Sequence, residues 1–245
     1  MAKAKAEKVE RPTMFDKVFK VKVMFVDEVL GTLPSDKEIY GTFIASNAPD
    51  APTREQEIAD LGVEAVEQKG ITVFPKTEDG KPYIYDYQWK GFFKEAGRAM
   101  NRVKGTATSG IKAFLKIVDT NIFVEATKEF IDSKTEGLEG LQKRVKAKKY
   151  ARQIVLNLPE NGEMGKCQRP LRAQTMQGER VSLACSETVP AETTCEFVVF
   201  LMDGSWEKAL KEWLDYAEYH GTMQWRNSGK GRFIYEIEEV TEQYQ

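Results

Sequence analysis

The residue types that can do chemistry are few in this chain, and their spacing argues against most catalytic schemes. His220 is the single histidine among 245 residues. Beside a glycine-rich segment it can act as general acid or base in metal-free cleavage of a ribose-phosphate strand, or it can cap and pack a helix end. The three cysteines, Cys167, Cys185 and Cys195, lack Cys-x-x-Cys spacing and a second histidine to activate them, so they read as reduced, packed thiols. Carboxylates are plentiful but form no tight cluster of the kind that two-metal hydrolysis requires. With no P-loop, dinucleotide, zinc or serine-nucleophile pattern, no cofactor and no metal is expected.

Cations beside flexible backbone and a flat ring are better represented. Residues 220–233 hold Gly221, Gly229 and Gly231 together with Arg226, Lys230, Arg232 and Trp225. Such a segment suits a nucleic-acid backbone, with glycine amides and cations at phosphates and Trp225 stacked on a base. The plainer alternatives are a helix-to-strand turn that needs glycine for positive φ, and a tryptophan packed under that turn. The net charge of −2 averages over segments of opposite sign. Residues 88–116 carry seven cations against Glu95 alone, with Lys90, Lys94, Arg98 and Arg102 at i, i+4 spacing as a ridge for phosphates. Residues 142–153 carry six cations and no acid, and Lys146, Lys148 and Lys149 are candidates for a clamp. Acids gather over 50–68 and after residue 235, so the molecule reads as electrically polarised.

The elements that position these residues follow from periodicity. Residues 1–17 are rich in Lys, Ala and Glu and carry Pro12, which reads as a poorly ordered arm. Alternation over 18–29 predicts a half-buried strand, and 53–69 predicts an acidic helix capped by Thr53. Residues 71–74 and 83–87 flank an Asp-Gly turn and read as a hairpin or two extended pieces. Apolar spacing predicts a helix over 89–103. Residues 113–118 and 121–124 read as strands, 127–149 as a loop or thumb-like insertion, and 154–158 as a strand. Strands over 181–185 and 195–202, a turn over 186–194, an amphipathic helix from Ser205 through Ala217 and a last strand over 233–240 complete the chain. No apolar run approaches a membrane span and no apolar leader is visible, so a cytoplasmic protein is the expectation.

The predicted order is an α+β fold, a ferredoxin-like or RRM-type antiparallel sheet with two core helices and insertions at about 31–70 and 125–150, in a single domain over 18–245. Three segments then carry a resemblance. The run from Tyr85 to Gly97, containing Lys90-Gly91, is similar to the Lys-Gly or Arg-Gly segment that opens the first helix of the RAMP superfamily, the RRM-like backbone proteins of CRISPR effector complexes. The run Ser186-Glu-Thr-Val-Pro-Ala-Glu-Thr-Thr-Cys-Glu-Phe197 resembles that family's Glu-x-x-Pro-x-Gly-Thr-x-Phe, with Glu192 where the family has glycine. Residues 220–233 resemble its glycine-rich loop. The whole chain also resembles an uncharacterised prophage family of similar size. The resemblance implies a non-catalytic protein that binds single-stranded RNA or DNA, RNA first, assembling along the strand as a homo-oligomer or within a RAMP-like effector complex. A protein-interaction or anti-defence factor on the same scaffold is the alternative, followed by a metal-independent ribonuclease using His220.

Overall fold

The computed structural model describes residues 14–35, 71–175 and 178–244. The expected arm, apart from residues 14–17, and the expected helix over 53–69 lie outside them. Among these residues, strand β1 (Lys17–Phe25) is followed by four short strands, β2 (Val29–Leu30), β3 (Leu33–Pro34), β4 (Ile71–Val73) and β5 (Tyr83–Tyr85), and then by helix α1 (Asp86–Met100). Helix α2 (Phe114–Asn121), strand β6 (Ile122–Ala126), helices α3 (Lys128–Lys134) and α4 (Gly140–Tyr150) and strand β7 (Gln153–Val155) come next. The chain ends with β8 (Gly165–Thr175), β9 (Gly178–Val189), β10 (Thr194–Leu201), α5 (Glu207–Asp215) and β11 (Phe233–Glu239).

The main sheet has the order β11-β1-β10-β6, and every neighbouring pair is antiparallel. Strands β1 and β6 therefore run parallel to each other with α1 between them in the chain, as β10 and β11 do with α5 between. Alternation decides which side chains meet the helices. Phe19, Val21, Val23 and Phe25 of β1 and Phe197 and Val199 of β10 share one core with Trp89, Phe92 and Phe93 of α1 and Leu210 and Trp213 of α5. Trp89 anchors this core with its ring centroid 4.3 Å from that of Phe197. The opposite face is dominated by charge: Lys20 pairs with Glu196 at 3.0 Å and Lys22 with Glu236 at 3.5 Å. Glu125 and Glu238 lie on the same face, and a small apolar cluster of Val18, Val198, Phe200 and Val240 closes one end.

Several sequence expectations are corrected. Residues 113–118 begin a helix, not a strand, because Phe114 and Val118 are buried at i, i+4 spacing and the Phe114 ring packs against Gly97, where an added Cβ would lie 2.7 Å from it. Residues 127–149 are two helices instead of a loop, although α4 buries only Tyr150. Of the two readings for 71–87 the pair of extended pieces holds: β4 and β5 lie in different sheets, and across the Asp-Gly turn the chain is joined by the Lys76–Pro82 bridge and by the N–H groups of Thr77 and Tyr83, which donate to the carbonyls of Lys81 and Pro75. The turn expected over 186–194 is confined to 190–193, since β9 runs to Val189. β8 pairs with β9, which also pairs with β2 and β4, so a second sheet flanks the first.

Two local features yield measurable consequences. Glu192, in the glycine position of the resembling motif, has φ of 64°, a left-handed conformation that costs a residue with a Cβ about 1–2 kcal/mol. Glu192→Gly should stabilise the chain by about 1 kcal/mol in urea titration. Lys17 and Lys211 each donate to Glu207, and these hydrogen bonds bring its carboxyl down from 4.5 to about 2. A depressed carboxylate stabilises the fold above the unfolded value and loses that contribution as pH falls through the folded one. The stability gap between wild type and Glu207→Gln should therefore be full above pH about 4.5 and close towards pH about 2.

Candidate nucleic-acid interface

The glycine segment is built by close backbone contact. A Cβ at Gly221 would lie 1.9 Å from the carbonyl oxygen of Lys230 and one at Gly231 would lie 2.4 Å from that of Thr222. This proximity lets the Thr222 N–H donate to the Gly231 carbonyl at 2.9 Å, while the Gly231 N–H donates to Glu28 at 3.0 Å. The segment is thus a closed loop whose neck is fastened to the β1–β2 turn. Inside it, Met223 and Trp225 adopt φ of 65° and 55°, and Gly229 a φ of 86°.

Closure turns the loop cations inward. Arg232 Nε donates to Asp27 at 2.7 Å, and Lys230 pairs with Glu28. Glu95, the lone acid of the first basic run, pairs with Arg226 through one oxygen and with His220 Nε2, 3.0 Å away, through the other. His220 also lies against the Tyr216 ring, with 5.2 Å between centroids. The outward feature is Trp225, which is 40% exposed.

The four-cation ridge divides in two. Four residues of helix turn through about 40° more than a full turn, so an i, i+4 row winds about 120° around the axis over twelve residues. Its first half faces α2: Lys90 Nζ donates to the Asp119 carbonyl at 2.9 Å and lies 5.1 Å from the Phe123 ring centroid, and Lys94 pairs with the Asp119 carboxylate. Burial lowers the Lys90 pKa from its usual value. Arg98 and Arg102, in the second half and beyond the helix end, are exposed and have no ion pair among the described residues. They follow Glu95 at i+3 and i+7, the spacing of one helical face.

Beyond Arg102, Lys104, Lys112 and Lys116 are also exposed and have no ion pair among the described residues. Glu212 of α5 fixes this region by accepting from the Ala107 and Thr108 N–H groups at 2.7 and 3.3 Å, while Asn101 Nδ2 donates to the Thr108 carbonyl at 3.1 Å. Asn101, Lys112 and Lys116 line one shallow groove of about 640 Å³. Lys104, Lys112 and Lys116 fall within the basic run of residues 88–116 but outside its i, i+4 ridge, so periodicity does not connect them to it. On α4, Lys146 is exposed, Lys148 pairs with Glu125 at 2.6 Å and Lys149 lies 5.9 Å from the Tyr150 ring centroid.

No protein-family profile and no curated protein matches the chain. Solved structures similar to it include a chain of the type III-B Cmr-beta complex bound to cognate target RNA, with a TM-score of 0.48, 10% identity and coverage of 92% of this chain and 61% of that one. Cmr6 from Pyrococcus furiosus aligns with a TM-score of 0.40 and 12% identity over 89% of this chain and 97% of its own, and a chain of a type IV-B CRISPR complex with 0.35 and 10% over 90% of each. This chain thus spans about three fifths of the Cmr-beta chain. Likenesses of this degree leave function to be argued from the chain's own residues. Among the described residues, no helix is long and apolar enough to cross a membrane.

The neck contacts make a testable contrast between two glycines. Gly221→Ala should destabilise the fold by about 1–3 kcal/mol, because backbone must move to admit the methyl. Gly91→Ala, on α1 with nothing within 4 Å of the new Cβ, should stabilise it by about 0.5–1 kcal/mol. Urea denaturation of both variants measures the difference.

Proposed function

We propose that this chain is a RAMP-like protein with an RRM-type, ferredoxin-like core that binds single-stranded nucleic acid, RNA in the first instance, without cleaving it. The supporting observation is the contrast between neutralised and unneutralised cations. Lys94, Arg226, Lys230 and Arg232 have carboxylate partners, whereas Arg98, Arg102, Lys104, Lys112 and Lys116 have none among the described residues and gather at one end of α1 and α2. Unpaired lysines and arginines on one surface are what a phosphate chain binds, with release of counterions. The open sheet face is a poor alternative route, since Glu125, Glu196, Glu236 and Glu238 lie there against Lys20 and Lys22. The strand order β11-β1-β10-β6, with a helix in each parallel crossover, supports the RRM-type reading.

The strand runs from Trp225 past the Arg226–Glu95 pair to Arg98 and Arg102, and then into the groove of Lys112 and Lys116. His220 serves here as a partner of Glu95, holding the loop to α1. A second reading has its own support: Leu141 and Val145 of α4 are 75% and 71% exposed among lysines and arginines, which favours α4 as a protein contact within a larger assembly over a phosphate clamp.

Fluorescence anisotropy with a labelled strand of about 16 nucleotides tests the first reading. Affinity should fall steeply between about 50 and about 200 mM salt. Arg98→Ala and Arg102→Ala should each weaken binding and make the slope of log K against log salt shallower by about 0.7, and Lys230→Ala should leave the slope unchanged. Absence of binding to single-stranded RNA and DNA at low salt would refute the proposal.

A further inference from the structure

Beside Trp225 lies a guanidinium whose surroundings are electrically incomplete. Arg169 of β8 sits with its guanidinium carbon 5.2 Å from the Trp225 ring centroid. Its Nη2 donates to Gln224 Oε1 at 2.8 Å. Gln224 is itself fixed, since its Nε2 donates to the Gly31 carbonyl at 3.0 Å and to Thr72 Oγ1 at 3.3 Å. The other two nitrogens of Arg169, Nε and Nη1, are buried and have no hydrogen-bond partner, and no carboxylate lies within ion-pair distance among the described residues. Arg169 is half-buried as a residue, and a cation drawn partly out of water normally gains a counter-charge. Persistent unpaired donors in a folded protein therefore call for an explanation outside the chain's own contacts.

A second observation coincides with the first. Trp225 holds a left-handed φ of 55°, although the indole gains little burial from it and stays 40% exposed. Left-handed backbone at a bulky residue persists only where the surroundings impose it, and it gathers at binding sites. The surroundings here are the closed neck, the locked Gln224 and the Arg226–Glu95 pair. An exposed ring is thus held rigidly with a cation against it. That geometry suits a ligand that is both flat and anionic.

From these two features we infer that Arg169 and Trp225 form a nucleotide subsite, in which an unpaired base of the bound strand stacks on the indole and the strand's negative charge completes the environment of the guanidinium. Arg169 is a positioning residue that acts through Trp225 and through its charge. The subsite rests on the single-strand reading above and adds a dependence on bases to a track that otherwise reads only phosphates. Every base has a π face, so the stacking is tolerant of sequence and selects unpaired bases over those stacked in a duplex. The subsite adjoins Arg226, whose partner Glu95 begins the face that leads to Arg98 and Arg102.

The test compares a uridine-only RNA strand with an abasic strand of the same length and backbone charge, by competition anisotropy. Wild-type protein should bind the base-bearing strand about tenfold more tightly. Trp225→Leu should close most of the gap between the two strands, Arg169→Gln should narrow the gap and also weaken the abasic strand because it removes a cation that meets the backbone charge, and Arg169→Lys should restore abasic binding and recover part of the gap. Arg98→Ala should weaken both strands equally. Far-UV circular dichroism establishes that each variant is folded, and should Arg169→Gln not fold, Trp225→Leu with Arg169→Lys carries the comparison. Equal wild-type affinity for the two strands overturns the subsite while leaving the single-strand reading intact. Failure of both strands to bind overturns both.

Discussion

The close approach of two backbone segments at Gly221 and Gly231 is the constraint from which the rest of the candidate interface follows. With no side chain at either residue, Thr222 and Gly231 share a hydrogen bond and Gly231 reaches Glu28. That fastening brings Lys230 and Arg232 onto Glu28 and Asp27 and Arg226 and His220 onto Glu95 of α1. It also leaves Trp225 outside, braced in a backbone conformation that it would not choose freely. The glycines therefore act through geometry at the neck of the loop, and the loop's cations hold it in place.

Electrostatics then distinguishes one end of the molecule. Individual surface ion pairs contribute little to stability, at about 0–1 kcal/mol each, so their main effect is on the outside field. Where Asp27, Glu28, Glu95 and Asp119 neutralise nearby cations, little net charge is presented to solvent. Where Arg98, Arg102, Lys104, Lys112 and Lys116 stand without such partners among the described residues, positive potential accumulates. Glu212 matters indirectly, because its bonds to Ala107 and Thr108 set the path of the chain that carries these lysines. On the proposed reading, the acidic residues of the open sheet face disfavour a phosphate chain there and leave the α1–α2 end as its route.

Much of the core was legible in the sequence because periodicity and burial agree there. Phe19, Val21 and Val23 alternate in β1, and Ala209, Leu210, Trp213 and Leu214 recur at helical spacing in α5, so each element's type follows from the face it buries. α2 was not legible as a helix, since Phe114-Leu-Lys-Ile-Val118 is as compatible with a strand and only packing against Gly97 decides between them. β8 was hidden by Pro170 and its polar neighbours, because the pairing that defines it comes from β9. The winding of an i, i+4 row explains why Lys90 and Lys94 face α2 while Arg98 and Arg102 face solvent. Arg169 carries no local pattern at all; its relation to Trp225 exists only once β8 and the glycine loop meet. The resemblance at Glu192 had a structural content that spacing alone could not supply, because the residue adopts the left-handed conformation for which glycine is suited.

On the proposed reading a single strand crosses the molecule from Trp225 to the α1–α2 end. Photocrosslinking of the full chain to a 4-thiouridine RNA, followed by mass-spectrometric mapping of the attached peptides, tests it most directly. The account predicts adducts on the peptide that contains Trp225 and on those spanning residues 98–116, with both sets suppressed by high salt. Adducts concentrated on β1 and β11, around Lys20, Lys22 and Ile234 on the open sheet face, would contradict it.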